Sequence, residues 1–223
     1  MSAKVQRLRV SYRRGPAARF ISHLDIMRFW ERALRRAHVP VSYSEGFTPH
    51  AQIALAAPLS IGQTSDCELL DLFLAERWEP EQLRQRLQMQ LPPSMDITHI
   101  EEVEVGAPSL QSTVRAAEYA LRLAPDTDVT ALQQRIDAFL TAASVPWEHR
   151  RDKDVKRYDL RPLVESLELR QGGAGAELVA LLRAEEGGTA RPDQVAAALG
   201  LSERLDGVHR VRLLLAETEH AGA

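Results

Sequence analysis

Apolar and polar residues alternate from Val5 to Tyr12 (Val5, Leu8, Val10 and Tyr12, with one slip). This period of two predicts a half-buried strand, ended by Gly15-Pro16. From Ser22 the period lengthens. Ile26, Met27, Trp30, Ala33, Leu34 and Ala37 share one side of a helical wheel. Ser22 with Asp25 three residues on forms an acidic variant of the capping box. The helix is expected to reach about His38, since Pro40 forces an extended residue before it. A loop with Gly46, Pro49 and Pro58 surrounds a short apolar stretch, Ile53 to Ala57. Asp66 to Leu74 reads as a strand, and Pro80 opens a helix over Glu81 to Gln90 that Pro92-Pro93 stops. Met95 to Val105 alternates again and closes the series.

After the breaker Gly106-Ala107-Pro108 the same order of elements returns. Glu118 to Leu123 reads as a strand, and Val129 to Ala143 as a helix capped by Asp128 or Asp126. A loop with Pro146 and Pro162 leads to a strand from Val164 to Arg170. Gly172-Gly173-Ala174-Gly175 is a hairpin tip before a strand from Leu178 to Ala184. Pro192 opens a helix to Leu199 that Gly200 stops, and His209 to Leu215 alternates as the last strand. The pattern predicts an α+β protein of two tandem ferredoxin-like (βαββαβ) domains, residues 1–107 and 108–223. Each would be an antiparallel sheet with its helices on one face. A single larger α+β domain is the competing arrangement.

Composition narrows the class without changing this picture. Of 223 residues, 44% are hydrophobic and 26% charged, which is ordinary globular usage rather than disorder. The single cysteine, Cys67, excludes an intramolecular disulfide and any multi-cysteine zinc or iron–sulfur site. No apolar run is long enough for a membrane helix, and the first ten residues lack a signal-peptide core. The expectation is a soluble cytoplasmic protein without a cofactor.

Charge does change the picture. Residues 1–50 carry ten Lys and Arg against three acids, in a chain whose formal net charge is −3. Such a segment presents a positive face to an anionic partner. Arg28, Arg32, Arg35 and Arg36 fall on the side of the first helix opposite its apolar residues, and Arg13, Arg14 and Arg19 precede it. Solvation alone accounts for charges on an outer helix face. Here, however, only Asp25 and Glu31 are available as partners. The residue used throughout is arginine, whose planar fork suits phosphate and stacks on bases. Tyr43 and Phe47, in the Gly/Pro loop beside these arginines, are candidate stacking platforms, with packing into the core as the alternative for Phe47.

His23, Asp25 and His50 cluster around the same helix start and loop, and are the candidates for acid–base chemistry on a phosphodiester. Their spacing is no metal signature, and no metal site is predicted. In the second half, residues 150–161 hold six Lys/Arg and three Asp. Lys156, Arg157 and Arg161 there extend the list of candidate nucleic-acid contacts. Leu160 and Arg161-Pro162-Leu163 are expected to pin the end of this loop to the fold. Cys67, in an apolar strand, reads as a buried small residue.

Four stretches carry a family resemblance: Phe20 to Asp25, Arg32 to Ala37, Tyr43 to His50, and Ala57 to Gly62. Together with Asp159-Leu160-Arg161-Pro162 they resemble the radical-SAM-linked domain family. This bacterial domain of unknown function is found alone, or fused or adjacent to cobalamin-binding radical SAM proteins. The resemblance implies a link to radical SAM chemistry through a partner but no activity of this chain, because the cluster-binding cysteines belong to the partner and are absent here. It also implies an RNA context, since family members often sit near genes for a ribonuclease and large-subunit ribosomal proteins. The expected function is an RNA-binding, non-catalytic accessory protein that positions rRNA or tRNA for that partner. The alternatives are a metal-independent endoribonuclease using His23 and His50, and an adaptor that docks an acidic protein face.

Overall fold

The computed structural model describes residues 4–151, 154–172, 175–185 and 187–216. It is a mixed α+β structure that divides into two compact units, residues 1–114 and 115–223.

In the first unit, β1 (Gln6–Arg14) is followed by α1 (His23–Arg36), β2 (Ile53–Leu55), β3 (Gln63–Leu74), α2 (Pro80–Gln88), β4 (Met95–Val103) and the short α3 (Leu110–Thr113). The strands lie in the order β2-β3-β1-β4, and every pairing is antiparallel. Even-numbered residues of β1 face the helices: Leu8, Val10 and Tyr12 are buried in one core with Leu70, Leu72 and Leu74 of β3. Trp30 and Leu34 of α1 and Leu83 and Leu87 of α2 close that core, so both helices cover the same face. Trp30 is fully buried, with its ring edge-on to Tyr12 at 5.0 Å. Val5, read from the sequence as the strand's first apolar residue, lies before β1 and is exposed.

Odd-numbered residues of β1 point to the other face, where Arg7 and Arg9 meet Asp71 of β3. Arg9 and Asp71 are direct cross-strand partners. Arg7 donates from Nε to Asp71 at 2.9 Å, and Arg9 from its Nε at 2.8 Å. Asp71 and Arg7 are buried. The remaining Arg7 donors reach the carbonyls of Ala107 and Pro108, at 2.7 and 2.8 Å, and fasten the segment after β4 across the sheet. Nothing in the alternation alone marks Arg7 as buried or Arg9 as partly so.

In the second unit β5 (Val114–Leu123) leads to α4 (Val129–Thr141), then β6 (Pro146–Arg151) and β7 (Asp154–Asp159), β8 (Val164–Gly172), β9 (Gly175–Glu185), β10 (Gly188–Thr189), α5 (Pro192–Ala198) and β11 (Leu205–Leu215). β8 and β9 form a long antiparallel hairpin, β9 also pairs antiparallel with β5, and β5 pairs with β11. Leu121, Leu132, Ile136, Leu182 and Val195 build the core from strands and both longer helices. Asp128 caps α4 by accepting from the Thr130 and Ala131 amides, and Gly200, at φ 69°, ends α5.

Besides shifts of a few residues at element ends and the short β10, which the pattern does not predict, the sequence reading differs from this structure at three elements. The Pro146–Pro162 loop is largely a two-stranded sheet, β6 paired with β7, because Trp147 and Tyr158 form a cross-strand pair that packs on the core. Helix α1 stops at Arg36 rather than His38, which takes a left-handed φ of 55° ahead of Pro40. The short helix α3 carries no periodic signal, and its N-cap Ser109 accepts from the Ser112 amide at 3.2 Å. The turn tip at 173–174 and the pair 152–153 lie outside the described residues.

Removing the carboxylate between one buried and one partly buried guanidinium group leaves both uncompensated. Asp71→Ala is therefore expected to lower the free energy of unfolding by about 3–5 kcal/mol. Urea denaturation followed by tryptophan fluorescence measures this. A change within about 0.5 kcal/mol, typical of surface substitutions, would contradict the assignment.

Candidate nucleic-acid interface

Helix α1 carries the site because it is amphipathic from Ile26 onward. Ile26, Trp30, Ala33 and Leu34 are buried, while Arg28, Arg32 and Arg35 are exposed on the opposite side. Its start is fixed by Ser22, whose hydroxyl accepts from the Asp25 amide and donates to the Asp25 carboxylate at 2.7 Å. Arg28 lies 3.5 Å from that carboxylate, an exposed pair that holds the guanidinium only loosely.

The other wall is a narrow ribbon that grows from the edge of β3. The Ser42 amide donates to Phe73, and Val41 bridges Leu74. Tyr43 then bridges Ala51, the Ser44 amide donates to the His50 carbonyl at 2.8 Å, and the His50 amide donates to Ser44 Oγ at 3.0 Å. Gly46 turns the tip at φ 125°, which a side chain would resist. Phe47 follows it, fully exposed. The reading of Phe47 as a core residue is thereby overturned.

Helix and ribbon enclose a cleft of about 270 Å³. Arg28, Glu31, Arg32 and Arg35 line it from α1, and Tyr43, Pro49, His50 and Ala51 from the ribbon. Three of the four helix arginines expected at the site thus meet Tyr43 and His50 around one space. Such a donor-rich wall beside an aromatic ring can bind a phosphate and a planar group together.

Other expected residues are placed elsewhere. Arg14 is buried, because it continues the inward parity of Leu8, Val10 and Tyr12. Its Nε donates to the Ala18 carbonyl at 3.0 Å and a second nitrogen to that of Ile21, so it latches the turn before α1. It is no surface contact, and the parity was the signal to find this. Arg36 is exposed but turns to α2's end, donating to the Gln90 side chain and carbonyl at 3.2 and 3.1 Å. Arg13 lies 3.7 Å from Asp66 and does not line the cleft. His23 and Asp25, at the helix start, do not line it either, so this cleft does not bring His23 and His50 together as an acid–base pair. Among the described residues no group of three His, Cys, Asp or Glu is placed to hold a metal ion. Cys67 is half-buried, with Sγ 3.7 Å from Ser65 Oγ.

In the second unit Lys156 and Arg157 are exposed on β7, and Arg157 pairs with Glu148 at 3.0 Å. Arg161 is a fastener. Its guanidinium donates to the carbonyls of Leu140 and Val164, at 3.1 and 2.8 Å, which removes it from the candidate contacts. Asp159 accepts from the Val145 amide at 2.7 Å and the Arg161 amide at 3.0 Å, and Leu160 is fully buried. The Asp159-Leu160-Arg161-Pro162 motif closes the base of the β6–β7 hairpin.

The protein is thus an α+β protein with an arginine-lined cleft on one helix. A family model described as uncharacterized protein conserved in bacteria (DUF2344) matches residues 7–192, and the chain belongs to that family. No curated protein matches. Among solved structures, a chain from the "Crystal Structure of a Cbf5-Nop10-Gar1 Complex" is similar, at 8% identity and a TM-score of 0.49. The match covers 94% of this chain and 49% of that one, so the chain spans about half the length of the structure it resembles. No helix among the described residues is long and apolar enough to cross a membrane.

The Val145 amide, followed by that of Arg161, holds the Asp159 carboxyl below the usual carboxylate range. A lowered folded-state value gives stability that is present above the unfolded aspartate value of about 3.9 and is lost as pH falls through the lowered one. NMR titration should find the Asp159 midpoint below that of a free aspartate. Asp159→Asn should weaken the fold near neutrality and flatten its loss on acidification; an unchanged acid-denaturation profile would contradict this.

Proposed function

We propose that this protein is a non-catalytic RNA-binding module that holds structured RNA beside a radical SAM enzyme. The observation that carries the RNA part is the cleft. Arg28, Arg32 and Arg35 converge there, with Glu31 as the acid lining it and Tyr43 on the opposite wall. Several guanidinium groups on one stripe favour a polyanion, and an aromatic wall favours one that carries bases. The radical SAM part rests on the sequence resemblance. Phe20, Leu24 and Ile61 stay exposed near the start of α1, where the Gly62 amide donates to the Arg19 carbonyl at 2.8 Å and joins their two segments. These apolar side chains are the natural seat for a protein partner.

We also read both units as ferredoxin-like domains. The strand order β2-β3-β1-β4 in the first, and β8-β9-β5-β11 in the second with the β6–β7 hairpin inserted before β8, support this reading.

Labelled tRNA and rRNA fragments titrated between about 50 and 200 mM salt test the RNA reading. Binding should weaken with salt. Arg28→Ala, Arg32→Ala and Arg35→Ala should each reduce the slope of log K against log salt by about 0.7–0.9. Arg14→Ala should destabilise the fold and leave the slope of the folded fraction unchanged. Salt-independent binding, or none to any cellular RNA, rejects the reading.

A further inference from the structure

The cleft is too small for a nucleic-acid helix and about right for a single nucleotide. Its volume of about 270 Å³ lies just under the range of small-molecule pockets, which begins near about 300 Å³. Side chains reach the backbone and shallow minor groove of an A-form duplex, whose paired bases stay stacked on one another. Aromatic rings offered to such a duplex have nothing to stack on. Yet the ribbon offers two: Tyr43 lines the cleft and is half exposed, and Phe47 stands at the tip, fully exposed. Phenylalanine is among the residues most often buried, so a ring held out in water asks for a reason. The Tyr43–Ala51 bridge and the two Ser44–His50 bonds close the ribbon beneath the tip that carries it.

Resting on the RNA reading above, we infer that the cleft takes an unpaired nucleotide. Its base stacks on Tyr43, its flanking phosphates sit on Arg28, Arg32 and Arg35, and the neighbouring base stacks on Phe47. Glu31 sets the orientation. A carboxylate among the arginines repels phosphate and only accepts hydrogen bonds, so it faces the donor-bearing edge of the base rather than the backbone. Three phosphate anchors and two stacked bases describe a single-stranded loop or bulge.

Fluorescence anisotropy with three RNAs of equal length (a single strand, a blunt duplex and a duplex with a bulge) tests this. The single strand and the bulge should bind at least about 10-fold tighter than the blunt duplex. Phe47→Ala and Tyr43→Ala should each weaken binding of those two by about 10- to 100-fold and leave the salt slope unchanged. Tyr43→Phe should restore most of the loss, since the ring alone stacks. Arg32→Ala should weaken all three RNAs and reduce the slope. The Phe47 side chain is wholly in solvent, so its removal leaves the core intact. Equal affinity for the three RNAs, or aromatic variants that keep the preference, overturns the unpaired-nucleotide inference and leaves RNA binding standing. Binding to none of them and to none of the tRNA and rRNA fragments, or to an acidic peptide alone, overturns both.

Discussion

Asp71 lies at the centre of the first unit, a single buried carboxylate between Arg7 and Arg9. Two guanidinium groups share it, and burying such a set is tolerable only when each polar atom finds a partner. Asp71 therefore has to stand opposite Arg9, and that requirement sets the register of β1 against β3. A slip of one residue would carry both arginines to the helix face and Leu8, Val10 and Tyr12 away from it. With the register set, Tyr12 meets the edge of Trp30. The largest buried side chain of the unit then fixes the rotation of α1, and Arg28, Arg32 and Arg35 face outward as a consequence.

The opposite wall of the cleft depends on the same strand. β3 pairs with β1 along most of its length and, near its end, holds the ribbon through the Ser42–Phe73 and Val41–Leu74 contacts. Helix and ribbon are thus placed from one strand, so the distance between arginines and aromatic ring is a property of the sheet rather than of a free loop.

Arginine serves four purposes within the first 36 residues. Arg7 and Arg9 are partners of a buried carboxylate, Arg14 latches a turn, Arg36 ties α1 to the end of α2, and Arg28, Arg32 and Arg35 line the cleft. The surplus of positive charge at the front of the chain is therefore smaller at the surface than its count implies. The arginines of the second unit divide in the same way: Arg161 fastens the hairpin base, and the buried Arg210 donates to the Tyr119 hydroxyl at 3.0 Å.

The elements and the outward face of α1 were legible in the sequence, because period and capping are local properties of neighbouring residues. Ser22 with Asp25, Pro80, Asp128 and Gly200 act within a turn of where they stand, and the structure places element ends within a few residues of them. Arg14 could also have been read, from its parity with Tyr12. The β6–β7 hairpin could not, since Trp147 and Tyr158 pair from eleven positions apart and then rest on a core built by distant strands. Nor could the fates of Arg7 and Arg36, which depend on Asp71 and Gln90, both more than fifty residues away. Hydrophobic pattern is short-ranged and is written along the chain. Which arginines are neutralised, and which remain free to face a partner, depends on long-range pairings that only the folded structure makes.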